Sequence, residues 1–278
     1  MRYRPFWVLL GGLLFARLLS YLLTPIQAPH SDITQALFAQ RIPGPGGTAP
    51  SSGPVAPTFV SATGSLPSTS GSFAYTSTGS VTTVSGDMVF AAFSVHGAAS
   101  LTYCATLTGA TGDGGLDTFT QVAVNNGTGT FTSCVVYYVA FNVHASSSYS
   151  VVFQGTSASA VTGNVMVVVF HPGSLTAKDT PNCSGQTGGA TSLACSSSMT
   201  PTTTLELAVA FLGSYDDTSS GQAANTPFTL PTGGYSAGSS TGGLLFEYYI
   251  DSTSAVVTPG FTSIGAGDPL SIVGNMFK

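Results

Sequence analysis

Charge is what this sequence has least of. Lys, Arg, Asp and Glu together make up 6% of its 278 residues, against roughly a quarter in ordinary globular proteins. Cations are the scarcer sign, with 6 Lys+Arg against 11 Asp+Glu. Arg2, Arg4 and Arg17 all fall near the start, so from residue 29 onward only Arg41, Lys178 and Lys278 oppose eleven acids, a net of −8. Such a chain cannot neutralise a phosphate backbone, which excludes nucleic acid as a partner. Glutamate occurs only as Glu206 and Glu247, and the single tryptophan is Trp7. There is no CxxC motif, and His96, His144 and His171 are far apart in sequence, so the ligand spacing of a zinc site is missing. No cysteine precedes Cys104, which removes an N-terminal lipidation acceptor. Disorder is excluded by a hydrophobic content of 43%, enough to bury a core.

The amino terminus is where long hydrophobic runs are found. A basic flank, MRYRP, precedes FWVLLGGLLFARLLSYLLTPI at 6–26. Twenty-one residues at 1.5 Å each just cross a hydrocarbon core of about 30 Å. No small-x-small cleavage site follows at Ile26-Gln27-Ala28 or Leu37-Phe38-Ala39. Residues 1–28 therefore read as an uncleaved signal-anchor helix in the inner (cytoplasmic) membrane, single pass, with the N-terminus inside. The rest is placed in the periplasm or outside the cell. Arg17 within the span costs about 2.5–3.5 kcal/mol on insertion scales unless it faces a partner or cavity. Gly11 and Gly12 offer a flat patch for a second helix. These three residues are the expected contacts to a membrane partner.

Residues 29–41 contain SDITQALFAQ, where a capping Ser31 and Ile33, Leu37 and Phe38 at helical spacing predict a short juxtamembrane helix. Residues 42–57, IPGPGGTAPSSGPVAP, read as a Pro/Gly/Ser linker. From 58 to 278 the pattern is β. Expected strands are 58–62, 72–77, 87–95, 118–124, 133–141, 148–154, 163–171, 203–212, 226–230, 243–250, 255–261 and 270–277. VMVVVF at 165–170 is apolar on both faces and reads as a central strand between layers. The turns are Gly/Ser/Asn-rich, and the whole predicts an antiparallel β-sandwich of the jelly-roll type. Four cysteines in an exported domain suggest two disulfides. The expected pairs are Cys104 with Cys134, joining neighbouring strands, and Cys183 with Cys195, closing a Gly/Ser/Thr loop.

The segments DTFTQVA (117–123), CVVYYVAFNVHASSSYSVVFQGTSA (134–158), VMVVVFH (165–171), LELAVAFLGS (205–214), FTLPTGGYS (228–236) and LSIVGNMFK (270–278) carry a resemblance. Over about 85–278 the chain is similar to exported jelly-roll, concanavalin-like domains of soil-bacterial surface proteins. That resemblance implies a sandwich and an extracellular setting, and brings no catalytic residues. VFHPG at 169–173 departs from the family, which usually has an acidic-aromatic turn there.

Few residues suggest chemistry. GYSAG at 234–238 matches GxSxG, yet no histidine follows Ser236 in chain order, so it reads as a turn. Glu206 and Glu247 are the only glutamates available for a glycosidase pair; Glu206, flanked by apolar neighbours facing the other way, is expected to face solvent. Asp113, Asp117, Asp216 and Asp217 are the candidates for loop calcium ligands. His96, His144 and His171 read as strand-end hydrogen-bonding residues. In Tyr137-Tyr138 and Tyr248-Tyr249 one ring of each pair is expected in the core and the other nearer solvent. No cofactor is expected. The combined reading is a non-enzymatic accessory subunit of an integral-membrane complex, with a bioenergetic assembly, photosynthetic or respiratory, as a natural host. The alternative is a cell-surface glycan-binding or adhesion module tethered to the bilayer.

Overall fold

The computed structural model describes residues 53–65, 68–76, 80–97, 104–111, 116–126, 132–214, 222–237, 243–262 and 268–278. The expected anchor at 6–26 and juxtamembrane helix lie outside them; among the described residues no helix is long and apolar enough to cross a membrane. The described chain is all β. Its strands are β1 (Thr58–Ser65), β2 (Ser68–Thr76), β3 (Val81–Thr83), β4 (Asp87–Gly97), β5 (Thr106–Thr111), β6 (Thr120–Asn125), β7 (Thr132–Val143) and β8 (Ser146–His171). They continue with β9 (Lys178–Ala190), β10 (Leu193–Ala194), β11 (Leu207–Ser214), β12 (Ala223–Ala224), β13 (Tyr235–Ala237), β14 (Gly243–Ile250), β15 (Gly260–Thr262) and β16 (Asp268–Phe277).

All pairings are antiparallel. One sheet has the order β1-β8-β4-β7-β6, with β2, β3 and β5 also bonded to β8; a second has the order β13-β14-β11-β16-β9; a small third is β10-β15-β12. β8 organises the first sheet. Thr58↔His171, Ser68↔Thr162, Phe73↔Gly155 and Thr83↔Ser146 show β1, β2 and β3 following one edge of it in turn, with register shifts at Phe59/Ser61, Thr69/Gly71 and Val81/Thr83. β4 and β5 follow the other edge, from Met88↔Phe170 to Thr111↔Ser150. A straight strand would hold Phe153 about 40 Å from Val165, at roughly 3.3 Å per residue. Instead Phe153 stacks on Phe93, the cross-strand partner of Val165, with ring centroids 5.3 Å apart. β8 therefore doubles back through the stretch GTSASAVTG at 155–163, carrying its neighbours with it.

Three apolar layers result. The first fills the fold of the doubled sheet with Val89, Phe93, Val136, Tyr149, Phe153 and Val167. The opposite faces of β4, β7 and β8 supply Phe90, Tyr137, Val168 and Phe170 to a second layer against Val209, Phe211, Phe246 and Phe277. These rings meet edge-on or tilted, as in Phe90–Phe277 and Tyr137–Phe211, the arrangement aromatic quadrupoles favour. The third lies between the far face of the second sheet and the small sheet, with Leu212, Leu245, Ile272, Met199, Val257 and Phe261. Central strands of both large sheets are thus covered on two sides, which is why VMVVVF and LAVAFLGS lack alternation.

The open sides of the sandwich are closed by groups that occupy strand edges. Asn125 Nδ2 donates to the Gly185 carbonyl at 2.8 Å and Lys178 Nζ to the Val122 carbonyl at 2.9 Å, tying β6 to β9. On the other side Gly233 has φ +81° and lies so close to the Ala62 carbonyl that a Cβ would overlap it.

Several boundaries differ from expectation. The strands expected at 148–154 and 163–171 are one strand, because main-chain pairing continues through the small residues between them. The Gly/Ser/Thr loop expected between Cys183 and Cys195 is mostly edge strand β9, whose ladder to β16 uses backbone groups and needs no apolar side chains. Residues 203–206 are not strand; Leu205 sits in the left-handed region at φ 65° and turns the chain before β11. At 226–230 only the isolated bridge Thr229↔Tyr248 forms. The end of the expected linker is held by the domain, since the Val55 carbonyl accepts from Ser174 N at 2.9 Å.

Candidate functional site

Two Asp–His pairs stand at one end of the doubled sheet. Asp87 opens β4 and His171 ends β8, each one residue beyond the Met88↔Phe170 pair; Nδ1 of the ring lies 2.6 Å from Asp87 Oδ1, while Oδ2 accepts from Val84 N at 2.9 Å. Asp117 precedes β6 and takes three donors: His144 Nδ1 at 2.6 Å, His144 N at 3.0 Å and the Tyr149 hydroxyl at 2.8 Å. Both carboxylates are 2% exposed and both imidazoles about half exposed. A carboxylate can only accept, so each Nδ1 carries the ring proton and Nε2 is the nitrogen turned away from the acid. The two pairs are joined by short links, because Gly86 N donates to the Val143 carbonyl and Thr83 Oγ1 to the His144 carbonyl.

A second polar cluster lies where β9 and β16 meet the turn before β11. Burial pushes the Asp179 carboxyl up, but donors from Lys278 Nζ (2.6 Å), Thr202 Oγ1 (2.6 Å) and Thr180 N (2.8 Å) outweigh it and hold it at about 2. Glu206 Oε1 accepts from the main-chain N of Thr202 and Thr203 and from both hydroxyls. Its solvent-facing placement is thereby corrected: Glu206 is fully buried. The alternation that suggested exposure belongs to a strand beginning only at Leu207, and the turn at Leu205 swings the side chain inward.

Glu247 is also fully buried, in mid-β14. Burial pushes its carboxyl up to about 9, against the lowering effect of the Gly260 and Asn225 amides; Gly260 N donates to Oε1 at 2.6 Å. The register places Glu247 opposite Ala210, four residues along β11 from Glu206. Their donors differ, Thr202 and Thr203 for Glu206 and Gly260 for Glu247. Asp251 is spent on the turn that follows, accepting from the main-chain N of Thr253, Ser254 and Ala255.

Of the calcium candidates, Asp113, Asp216 and Asp217 lie outside the described residues, and Asp117 is committed to His144 and Tyr149. Among the described residues no group of three His, Cys, Asp or Glu side chains is placed to hold a metal ion. Gly11, Gly12 and Arg17 are likewise outside them, as is the His96 side chain. Ser236 stands in the short edge strand β13 opposite Leu244, not in a turn. Tyr137 and Tyr138 are both buried, correcting the expected split, because β7 is covered on both faces. Tyr137 donates to Asn275 Oδ1 at 3.1 Å, and its burial pushes the phenol well up. Tyr248 and Tyr249 are both half-buried.

Both disulfides form as expected, Cys104–Cys134 and Cys183–Cys195. The first does not join neighbouring strands, since Cys104 precedes β5 on β8 while Cys134 lies in β7, which pairs with β4 and β6. It crosses the first core layer instead. The Asp–His pairs were beyond sequence reasoning, because Asp87 and His171 are 84 residues apart. Compared with protein-family models, curated proteins and solved structures, the chain matches none.

Proposed function

We propose that this chain is a non-enzymatic, membrane-anchored accessory subunit that braces the extracytoplasmic side of an integral-membrane complex. In this reading the helix at 6–26 packs on the complex through Gly11, Gly12 and Arg17, and the sandwich, wound as a jelly roll, sits on its outer face. One observation carries it. All six acids whose side chains are described (Asp87, Asp117, Asp179, Glu206, Glu247 and Asp251) are turned inward and hydrogen-bonded within the fold. The described surface is left to Ser, Thr, Gly, Asn, Gln, apolar side chains and the half-exposed His144 and His171, with Lys178 and Lys278 already engaged. Loss of charged side chains marks the cores of protein interfaces.

The test is mild detergent solubilisation of native membranes, size separation and identification of what co-migrates. Constant stoichiometry with a defined complex is the expected result, and Arg17→Leu should loosen it without changing the melting temperature of the chain. Migration of the wild type alone, or unchanged co-migration of the variant, would overturn the subunit reading; the first outcome would direct attention to glycan binding.

A further inference from the structure

We infer that the carboxylate of Glu206 is a ligand to a calcium-class cation, held where β9, the chain just after β16 and the turn before β11 meet. The inference stands apart from the subunit reading. Among the described residues two buried carboxyl oxygens have no hydrogen-bond partner, Glu206 Oε2 and Glu247 Oε2. Both glutamates are fully buried, and a buried polar atom without a partner is costly. Their surroundings differ. Glu247 lies on the face of β14 that carries Leu245 into the third apolar layer, and burial pushes its carboxyl up to about 9. A protonated acid has no net charge to balance.

Glu206 belongs to a polar cluster instead. Its Oε1 accepts from the main-chain N and the hydroxyl of both Thr202 and Thr203, four donors that suit a carboxylate. Thr202 Oγ1 also lies 2.6 Å from Asp179 Oδ2, so one threonine links the two acids. Lys278 Nζ is 2.6 Å from Asp179 Oδ1 and 3.3 Å from Thr202 Oγ1. Asp179 thus has its counter-charge, whereas among the described residues Glu206 enters no ion pair. Calcium fits what is left. It takes oxygens of any kind in a flexible shell, so carboxylate, hydroxyl, carbonyl and water together suffice and three acidic side chains are not needed. Magnesium demands regular octahedral geometry, which a threonine turn already bonded to Glu206 suits less well. Thr202 and Thr203 are exposed and the Lys278 side chain is 41% exposed, so the cluster opens to solvent.

The test uses the full-length chain, stripped of metal with a chelator, and calcium chloride as the probe. An affinity of about 1 mM, ordinary for extracellular modules, predicts a melting temperature raised by about 3–6 °C at about 10 mM calcium. Amide exchange at 202–206 should slow about tenfold under the same conditions. Glu206→Gln keeps an acceptor for the threonines and removes the charge, so it should lose both effects, while Glu247→Gln should keep them. If Glu206→Gln does not fold, the exchange map of the wild type decides: slowing at 202–206 supports the site, and slowing confined to other segments overturns it. No rise in melting temperature, a rise equalled by sodium chloride at the same ionic strength, or a rise undiminished in Glu206→Gln overturns it as well. A response to magnesium as large as that to calcium would overturn the choice of cation.

Discussion

Glu247 keeps its proton at neutral pH because full burial costs the charged form more than the Gly260 and Asn225 amides return. The unfolded chain gives up that proton near 4.5, the folded chain near 9. Between these values the folded state binds more protons, so the contribution of Glu247 falls as pH rises, by up to about 1.4 kcal/mol per pH unit. Glu247→Gln keeps an acceptor for Gly260 N and removes the titration. Denaturant unfolding at pH 5 and pH 8.5 should show wild type losing stability that the variant retains. Equal slopes for the two proteins would refute the neutral buried acid. Asp179 is the opposite case, with a carboxyl at about 2; its contribution is present above the ordinary value near 3.8 and is lost as pH falls through 2. Nothing local distinguishes these two acids in the sequence. Glu247 stands among apolar neighbours in β14 and Asp179 beside Lys178, and their donors come from Gly260 and Lys278, brought close only by the fold.

At the scale of elements, the doubling of β8 decides the architecture. Its apolar positions at 149, 151 and 153 and at 165, 167 and 169 share one strand face, yet both sets enter the same core layer. The stack of Phe153 on Phe93, which pairs with Val165, requires a reversal between the two sets, across residues 155–163. Phe153 is the ring that closes the fold, stacked on Phe93 and edge-on to Tyr138. Phe153→Ala should cost about 3–5 kcal/mol in denaturant unfolding. It should also raise amide exchange at 146–157 more than at 165–170, whose ladders to β1 and β4 remain. The strand expectations at 87–95, 133–141, 243–250 and 270–277 lie within or close to the observed elements, since strong β patterning and burial agree there. β9 escaped because edge strands of Gly, Ser and Thr carry no apolar signal.

Across the described residues, six inward-facing acids and few exposed charges make stability depend on packing and cross-links more than on surface ion pairs. Cys183–Cys195 fastens edge strand β9 to the segment after β10, across 12 residues. Closing a loop of that size restricts the unfolded chain by about 3 kcal/mol. Cys183→Ser with Cys195→Ser should lower the melting temperature by about 6–12 °C, at roughly 2–4 °C per kcal/mol for a domain of this size. A shift below about 2 °C in calorimetry would show that β9 is held by its ladder to β16 alone.

The sequence by itself determined the all-β class, the antiparallel strands of the core and the double-sided burial of 165–170. These follow from period-two patterning, apolar runs and turn residues, which act over a few neighbours; among the three ways of pairing four cysteines, the fold decided. Only the tertiary structure decided that β8 folds on itself, that Glu206 turns inward, that β9 is a strand, and that two histidines meet two aspartates at one end. Each of those depends on groups tens of residues apart whose proximity is set by sheet register. Register is a property of the paired strands together, and no single segment encodes it.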